Sequence, residues 1–153
     1  MRTRVEHLTE SDWRLFAVMR LRALTDSLGE DNPQYRAEVA FTAAQWRRRL
    51  REHAQFVAWL GSRPVGLIGA QQESAERVYL YSLWLAPEAR GRGLAKALVR
   101  TALEWARSRN ARTVTLRVAT DNTVARAIYQ SLGFTATESD ALRDEVAMAL
   151  RVS

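Results

Sequence analysis

The sequence predicts a mixed α/β fold of three layers, in the element order β-α-α-β-β-β-α-β-α-β-β. Short runs of apolar and β-branched residues are typical of strands, whereas longer segments with apolar residues every three or four positions are typical of helices. A strand, a long helix and a second strand follow one another over residues 78–118, which predicts a right-handed parallel crossover. We expect residues 1–153 to form one domain, because this length can bury a substantial core.

In the first half of the chain, capping patterns mark the predicted helices. Residues 9–12 read Thr-Glu-Ser-Asp, a capping box that starts the first helix, and residues 42–45 repeat this pattern before a second, shorter helix. The polar stretch 30–39 contains Asn32-Pro33, a turn signal, so we predict a loop there. The strands predicted in this half cover residues 2–8, 56–60 and 65–72.

In the second half, the run of apolar residues from Val78 to Leu85 predicts a buried strand, which ends before Pro87 because proline donates no ladder hydrogen bond. A long amphipathic helix starts at about Leu94. A further helix follows Asn122 as N-cap and stops at Gly133. The remaining predicted strands cover residues 114–118, 134–139 and 145–152.

Composition excludes several kinds of chemistry. The chain has no cysteine, so disulfides, thiolate metal sites and cysteine nucleophiles are ruled out. His7 and His53 are the two histidines, and we therefore expect no metal centre. Because the sequence shows neither a signal peptide nor an apolar run of membrane-spanning length, we expect a cytoplasmic protein that does not enter a membrane.

The chain is strongly basic, with a net charge of +6 and a pI of about 10.6, and every basic residue except Lys96 is arginine. Such a balance is found in nucleic-acid-binding proteins. Here the arginines are spread along the chain, and the cluster at 47–51 is interpreted as a solvated helix face. We therefore do not expect a specific nucleic-acid site.

Between the strand and the helix lies a basic glycine loop, Arg90-Gly91-Arg92-Gly93. The first turn of a helix has free backbone N–H groups and a favourable dipole for anions, and the glycines let a ligand approach the backbone. The loop therefore predicts a phosphate cradle. It is not a dinucleotide fingerprint, because the third glycine of that motif is replaced by Lys96, and the sequence contains no Walker loop.

The loop resembles the acetyl-CoA signature of the GNAT superfamily of N-acyltransferases, Arg/Gln-x-x-Gly-x-Gly/Ala, which is read here over residues 90–95. The preceding residues 83–87, Leu-Trp-Leu-Ala-Pro, are also similar to the family. Residues 122–134 resemble its second motif, Asn-x-x-Ala-x-x-Leu/Ile/Phe-Tyr-x-x-x-Gly-Phe, at every fixed position. Both motifs occur in the family's order.

The resemblance implies a GNAT-like three-layer α/β/α fold and an enzyme that moves an acetyl group from acetyl-CoA to a primary amine by direct attack. Acetyl-CoA would be the cosubstrate, without a metal, and the acceptor would be a small amine, a peptide or a protein. A non-catalytic acyl-CoA-binding or sensing module is the alternative, and a homodimer stays open. The implied coenzyme-binding residues are Leu83, Trp84, Leu85, Arg90, Gly91, Arg92, Gly93, Leu94, Ala95, Lys96, Asn122, Ala125 and Tyr129.

The resemblance also implies two catalytic roles. A backbone N–H near Leu85 would stabilise the oxyanion, and Tyr129 would protonate or hydrogen-bond the leaving thiolate. Many relatives carry a glutamate base early in the central strand, where this sequence has Tyr79. The general base therefore stays open between a water chain and the side chains of Glu73, Glu76, Tyr81 and Glu138.

Overall fold

The structure is a computed structural model that describes residues 2–153. Its strands are β1 (Thr3–His7), β2 (Ala54–Leu60), β3 (Arg63–Gln72), β4 (Arg77–Leu85), β5 (Thr113–Ala119), β6 (Thr135–Asp140) and β7 (Glu145–Arg151). Its α-helices are α1 (Trp13–Leu28), α2 (Pro33–Val39), α3 (Ala43–Glu52), α4 (Leu94–Ser108) and α5 (Thr123–Ser131). Single 3-10 turns at Glu10–Asp12 and Pro87–Ala89 precede α1 and follow β4.

The seven strands form one mixed sheet in the order β1-β2-β3-β4-β5-β7-β6. Neighbouring strands are antiparallel except β4 and β5, which run parallel and are joined through α4. The parallel pairing predicted for this crossover is therefore confirmed, and so is the mixed sheet. The parallel register is short, from Arg77 opposite Thr113 to Tyr79 opposite Thr115.

One element contradicts the prediction: α2 occupies most of the stretch that we expected to be a loop. Asn32 is its N-cap, since the side chain accepts a hydrogen bond from the backbone N–H of Gln34 at 2.8 Å. Pro33 occupies the first helical position, where its missing N–H costs nothing. Asn-Pro here starts a helix, so three α-helices instead of two precede β2.

The sheet is covered on both faces over β1 to β4. A Cβ at Gly66 of β3 would contact Leu98 of α4, whereas Gly69 leaves room for the ring of Tyr81, which contacts His53 at the end of α3. Because positions 66 and 69 of a regular strand point to opposite faces, α4 and α3 lie on opposite sides of the sheet. The expected three layers are therefore present.

The apolar side chains of both layers and the sheet form one continuous core, centred on residues such as Phe16, Phe56 and Leu98. Burial of this size is the main favourable contribution to the stability of the fold. Within residues 2–153, none of the helices combines the length and the apolar character needed to cross a membrane.

Candidate active site

Beyond Tyr79 and Thr115, β4 and β5 separate, and a cleft opens between them. Its volume is about 220 Å³. The cleft is lined by Ile68, Leu80, Tyr81, Ser82, Leu83, Arg117, Val118, Ala119, Asn122, Ala125 and Tyr129. Because β4 and β5 are parallel, their carboxyl ends lie at the same edge, and so do the starts of α4 and α5. The geometry thus places the basic glycine loop and the second motif side by side.

One wall of the cleft contains a β-bulge. Trp84 pairs with Leu67 and Tyr81 pairs with Gly69, so that Ser82 and Leu83 together stand opposite Ile68 alone. Ser82 has a φ of 58°, in the left-handed region. A bulge of this kind leaves backbone groups outside the strand ladder. The β4 wall therefore presents backbone hydrogen-bonding groups that β3 does not take up.

Leu85, near which we expected the oxyanion donor, lies outside this cleft. It pairs with Gly66 in the β3–β4 ladder, and its carbonyl oxygen accepts a hydrogen bond from Nε of Arg90 at 3.2 Å. Trp84 is buried, and its Nε1 donates to Asp26 at 2.8 Å. Of the three neighbouring residues 83–85, it is Leu83 that lines the cleft.

The other wall is formed by the start of α5. Asn122 is the N-cap, with its side-chain oxygen accepting from the backbone N–H of Ala125 at 3.1 Å. Tyr129 lies two helical turns further and packs edge-on against Phe134, with 5.8 Å between ring centroids. Burial, with a smaller contribution from Tyr79, raises the pKa of Tyr129 to about 12. Tyr129 is therefore protonated at neutral pH and can act as a hydrogen-bond donor in the cleft.

The glycine loop has the shape of an anion cradle. Gly91 and Gly93 have φ values of 78° and 79°, and a Cβ built on either would meet no atom within 4 Å. Gly93 is the N-cap of α4, where its residue type provides no side chain to bond the first N–H groups. Leu94 is buried and fixes the helix start, while the side chain of Arg92 is exposed. Open space, free N–H groups and positive charge coincide here.

Arg90 has a bracing role in the structure. Besides the Leu85 carbonyl, its guanidinium contacts the carboxylate of Asp26 in α1, with Nη2 3.1 Å from Oδ2. The same carboxylate oxygen accepts from Trp84. Arg90 thus ties the loop to α1. Arg92 in the loop and Lys96 in the first turn of α4 form no ion pair within residues 2–153.

Next to the cleft, the sheet carries a larger open basin of about 520 Å³. Its floor is formed by small residues of β5 and β7, and its rim by Glu73, Arg77, Tyr79, Arg117 and Glu138. Arg117 borders both the basin and the cleft. Two of the candidate bases, Glu73 and Glu138, therefore lie in the basin. Glu76 instead pairs with Arg112 at 3.7 Å on the exposed surface.

Sequence reasoning missed the surroundings of Tyr81. Its hydroxyl accepts a hydrogen bond from Nε2 of Gln55 at 2.8 Å and lies 2.5 Å from Nδ1 of His53. Since Gln55 donates to this oxygen, the hydroxyl proton is free to go to His53. Burial, with a further effect of Arg49, lowers the pKa of His53 and favours the neutral imidazole that accepts it. Partners 26 and 28 residues apart leave no local signal in the sequence.

Sequence reasoning also missed a buried ion pair beside the bulge. Arg20 of α1 donates to both carboxylate oxygens of Glu38 in α2, and its third nitrogen donates to the hydroxyl of Ser82. Glu38 was assigned to the predicted loop, where a charged residue is unremarkable. An Asn-Pro helix start is the signal that would have placed it on a helix. Within residues 2–153, no group of three or more His, Asp or Glu side chains is arranged to hold a metal ion.

Comparison with known proteins agrees with this geometry. Residues 20–134 match the Acetyltransferase (GNAT) family, a span that includes the bulge, the glycine loop, the cleft and both motifs. The chain is 44% identical over 81 residues to a mycothiol acetyltransferase of Corynebacterium glutamicum strain R. That alignment covers 53% of this chain but only 28% of the relative, so the chain spans less than a third of that enzyme.

Solved structures share the whole fold. The PaiA N-acetyltransferase of Thermoplasma acidophilum, in complex with coenzyme A, superposes with a TM-score of 0.78 over 99% of both chains at 15% identity. YncA, a putative acetyltransferase of Salmonella typhimurium with its cofactor acetyl-CoA, gives a TM-score of 0.75 at 15% identity, covering 100% of this chain and 95% of YncA. At these identities the similarity shows the fold, and the match over residues 20–134 shows the family: the chain belongs to the acetyltransferase (GNAT) family.

Proposed function

We propose that the chain is an N-acetyltransferase that moves the acetyl group of acetyl-CoA directly to a primary amine, and that residues 1–153 belong to a single N-acetyltransferase domain. The observation that carries this proposal is the cleft between β4 and β5. It joins a bulged strand and a protonated tyrosine, and it opens at the sheet edge where the glycine loop starts α4. Relatives named as acetyltransferases, and neighbours solved with coenzyme A or acetyl-CoA, support the choice of cosubstrate.

The loop and α4 are suited to the phosphates of the cosubstrate. Backbone N–H groups at the start of α4 face the open space beside Gly91 and Gly93, and Arg92 and Lys96 add charge. The net charge of +6 favours the approach of an anionic ligand. The pantetheine arm would then run into the cleft, where the side-chain N–H groups of Asn122 are not used by the helix cap.

In the chemical step, the neutral amine attacks the thioester carbonyl carbon, a C–N bond forms, and negative charge develops on the carbonyl oxygen. We assign the donor for this oxyanion to the backbone N–H groups of the bulge at Ser82 and Leu83, because these line the cleft and Leu85 does not. Donors fixed in advance where charge develops are the usual source of such stabilisation.

The C–S bond then breaks and the coenzyme leaves as a thiolate. A thiol has a pKa of about 8.5, whereas the pKa of Tyr129 is raised to about 12. Complete proton transfer from Tyr129 to the sulfur is therefore unfavourable, and we assign to Tyr129 a hydrogen bond that stabilises the thiolate. The absence of cysteine from the sequence agrees with a direct transfer without an acyl-enzyme.

The proton of the attacking amine needs an acceptor. Tyr81 lines the cleft and is hydrogen-bonded to His53, which is half-buried and favours the neutral form. When the Tyr81 oxygen accepts a proton from the amine, the tyrosine's own proton would move to Nδ1 of His53. Tyr81 is then neutral again, His53 is an imidazolium, and the negative charge that balances it is carried by the departing thiolate. We assign Tyr81 as the proton acceptor, with His53 acting through it, in preference to the carboxylates of the basin.

The test combines binding and turnover. Calorimetric titration with acetyl-CoA is expected to show one site, and free thiol should be released only when an amine from a broad panel is added. Tight binding without turnover for any amine would favour the non-catalytic acyl-CoA-binding module. No detectable binding would refute the assigned cradle. Salt-dependent binding of DNA or RNA that survives saturating coenzyme A would indicate a nucleic-acid-binding protein instead.

A further inference from the structure

The backbone of Ser82 adopts a conformation that its residue type does not favour. Three residues other than glycine have positive φ in the described chain, namely Ser82, Asn110 and Asp144. Asparagine and aspartate tolerate the left-handed region, because their short polar side chains bond the nearby backbone, but serine has no such preference. Ser82 also lies in the interior of a strand, at the bulge that lines the cleft. Something outside the strand must hold it there.

Arg20 of α1 is placed to do this. Its Nη1 donates to the hydroxyl oxygen of Ser82 at 3.0 Å, across 62 residues of sequence. The guanidinium is held by Glu38, with Nε donating to Oε1 at 3.0 Å and Nη2 donating to Oε2 at 3.3 Å. The side chains of Arg20 and Glu38 are only 12% and 4% exposed. A planar guanidinium held by two parallel bonds has little freedom to leave Ser82.

Glu38 is itself fixed by two further donors. Nη1 of Arg49 in α3 donates to Oε1 at 2.7 Å, and Nε2 of Gln34 donates to Oε2 at 3.1 Å. Burial alone would raise the pKa of Glu38, but the hydrogen bond and charge of Arg20, with Arg49 and Gln34, keep it below its ordinary value. The carboxylate is therefore ionised at neutral pH. Helices α1, α2 and α3 converge on it, beside the bulge.

We propose that Arg20, held by Glu38, is a positioning residue for acyl transfer, which keeps Ser82 in the left-handed conformation and the bulge donors aimed into the cleft. The inference rests on the proposed function, in which the bulge N–H groups bind the oxyanion. The coenzyme cradle lies at the start of α4, and Arg20 is not part of it. Loss of the Arg20–Ser82 contact is therefore expected to lower kcat and to leave the coenzyme Kd unchanged.

Ser82 offers a pair of variants that leaves the Arg20–Glu38 ion pair intact. Ser82→Ala removes the hydroxyl but keeps the Cβ that disfavours positive φ, and we expect kcat to fall about tenfold, as for loss of one hydrogen bond to a charged group. Ser82→Gly also removes the hydroxyl but adopts positive φ freely. Because glycine needs no outside contact to hold positive φ, the kcat of this variant is expected to be at least about threefold higher than that of Ser82→Ala. Equal loss of kcat in both variants would overturn the proposal.

Arg20→Met is then compared in the wild-type and Ser82→Gly backgrounds. Alone it should lower kcat at least tenfold, whereas in the glycine background it should change kcat by less than about threefold, because glycine no longer needs to be held. The melting temperature should fall in both backgrounds, since Glu38 loses a partner in each. Recovery of kcat in the double variant, while its melting temperature stays below that of Ser82→Gly alone, distinguishes positioning from a merely structural role. Arg14→Met, on the exposed side of α1, is the matched control.

If Arg20→Met is equally slow in both backgrounds, or keeps the wild-type kcat, the proposal is wrong. Failure of the proposed function looks different, because the wild-type protein itself would then transfer no acetyl group to any amine. In that case the hold of Arg20 and Glu38 on Ser82, which we call the clamp, can still be tested by thermal unfolding. Ser82→Gly should raise the melting temperature more in Arg20→Met than in the wild type. An equal shift in both would overturn the clamp independently of activity.

Discussion

The two sides of the candidate site are built in different ways. The side that we propose for the coenzyme, residues 83–96 and 122–129, is called the coenzyme side and is made of two short contiguous segments with special backbone conformations. The clamp side, formed by Arg20, Glu38, His53 and Gln55 against Tyr81 and Ser82, is made of side chains that meet across 18 to 62 residues of sequence. The coenzyme side depends on local backbone geometry, and the clamp side depends on how three helices pack.

The difference determines which substitutions each side tolerates. On the coenzyme side, glycines with positive φ at 91 and 93 keep space open, so that any side chain is a disturbance. On the clamp side, a buried carboxylate holds two arginines, so that a change of charge is the disturbance. Substitutions in the glycine loop should therefore act on affinity, and those at Tyr129 and on the clamp side on turnover or stability. Four variants test this division.

The largest effect is expected from Gly93→Val. The valine would fill the space beside the first turn of α4 and keep a phosphate from the N–H groups, so that affinity for acetyl-CoA should fall about a hundredfold, as for two lost charge-assisted bonds. Calorimetric titration measures it. Gly29→Val is the control, because Gly29 has a similar φ of 84° and open space but lies at the end of α1. Equal loss in both variants would show that backbone strain, and not the cradle, was tested.

Tyr129→Phe comes next and separates chemistry from binding. Losing the hydrogen bond to the thiolate should lower kcat about thirtyfold with little change in coenzyme Kd. Because the pKa of Tyr129 is raised to about 12, its hydroxyl stays protonated near pH 10. The rates of the wild type and of the variant should therefore show the same pH dependence in this range. Tyr35→Phe on α2 is the control. Parallel losses of kcat, affinity and melting temperature would assign Tyr129 to core packing instead.

Glu38→Gln tests the clamp through pH. The pKa of Glu38 is held below its ordinary value, so its ionisation stabilises the fold above about pH 4.3, and this stabilisation is lost as pH falls through the lowered pKa. At pH 7 the free energy of unfolding of the variant should be lower by about 2 kcal/mol, as for a lost hydrogen bond to a charged group. The difference from the wild type should shrink on acidification to about pH 3. Chemical denaturation measures both, with Glu104→Gln on the exposed face of α4 as control. A difference independent of pH would contradict the assignment.

Arg117→Gln should have the smallest effect, and it tests the binding of the acceptor. Arg117 borders both the cleft and the basin, so its charge is expected to act on the acceptor. We expect KM for an acidic amine to rise about fivefold, the range of an exposed ion pair, while KM for a basic amine and the coenzyme Kd stay unchanged. Arg112→Gln, just before β5, is the control. A change of coenzyme Kd would place Arg117 on the coenzyme side.

The stretch 30–39 shows where sequence reasoning failed. Asn32-Pro33 fits a turn and a helix start equally well, since both use a capping side chain and a fixed φ. The helix is stabilised by Glu38 on its inner face, because the buried carboxylate pairs with Arg20 and Arg49. The oxyanion donor near Leu85 stays a prediction, and the register of β3 against β4 is the reason why we propose it at the bulge of Ser82 and Leu83.

The sequence by itself determined the strand order along the chain, the crossover, the glycine loop and the second motif, because hydrophobic period, capping residues and glycine act within a few positions. Only the tertiary structure decided where β4 and β5 part, which backbone groups become free and which buried charges surround them. These depend on strand register and on contacts such as Arg20 to Ser82, whose energies exist only once distant elements have packed. Local rules therefore predicted a coenzyme site at the glycine loop, and long-range packing determined the surroundings of Tyr81 and Ser82.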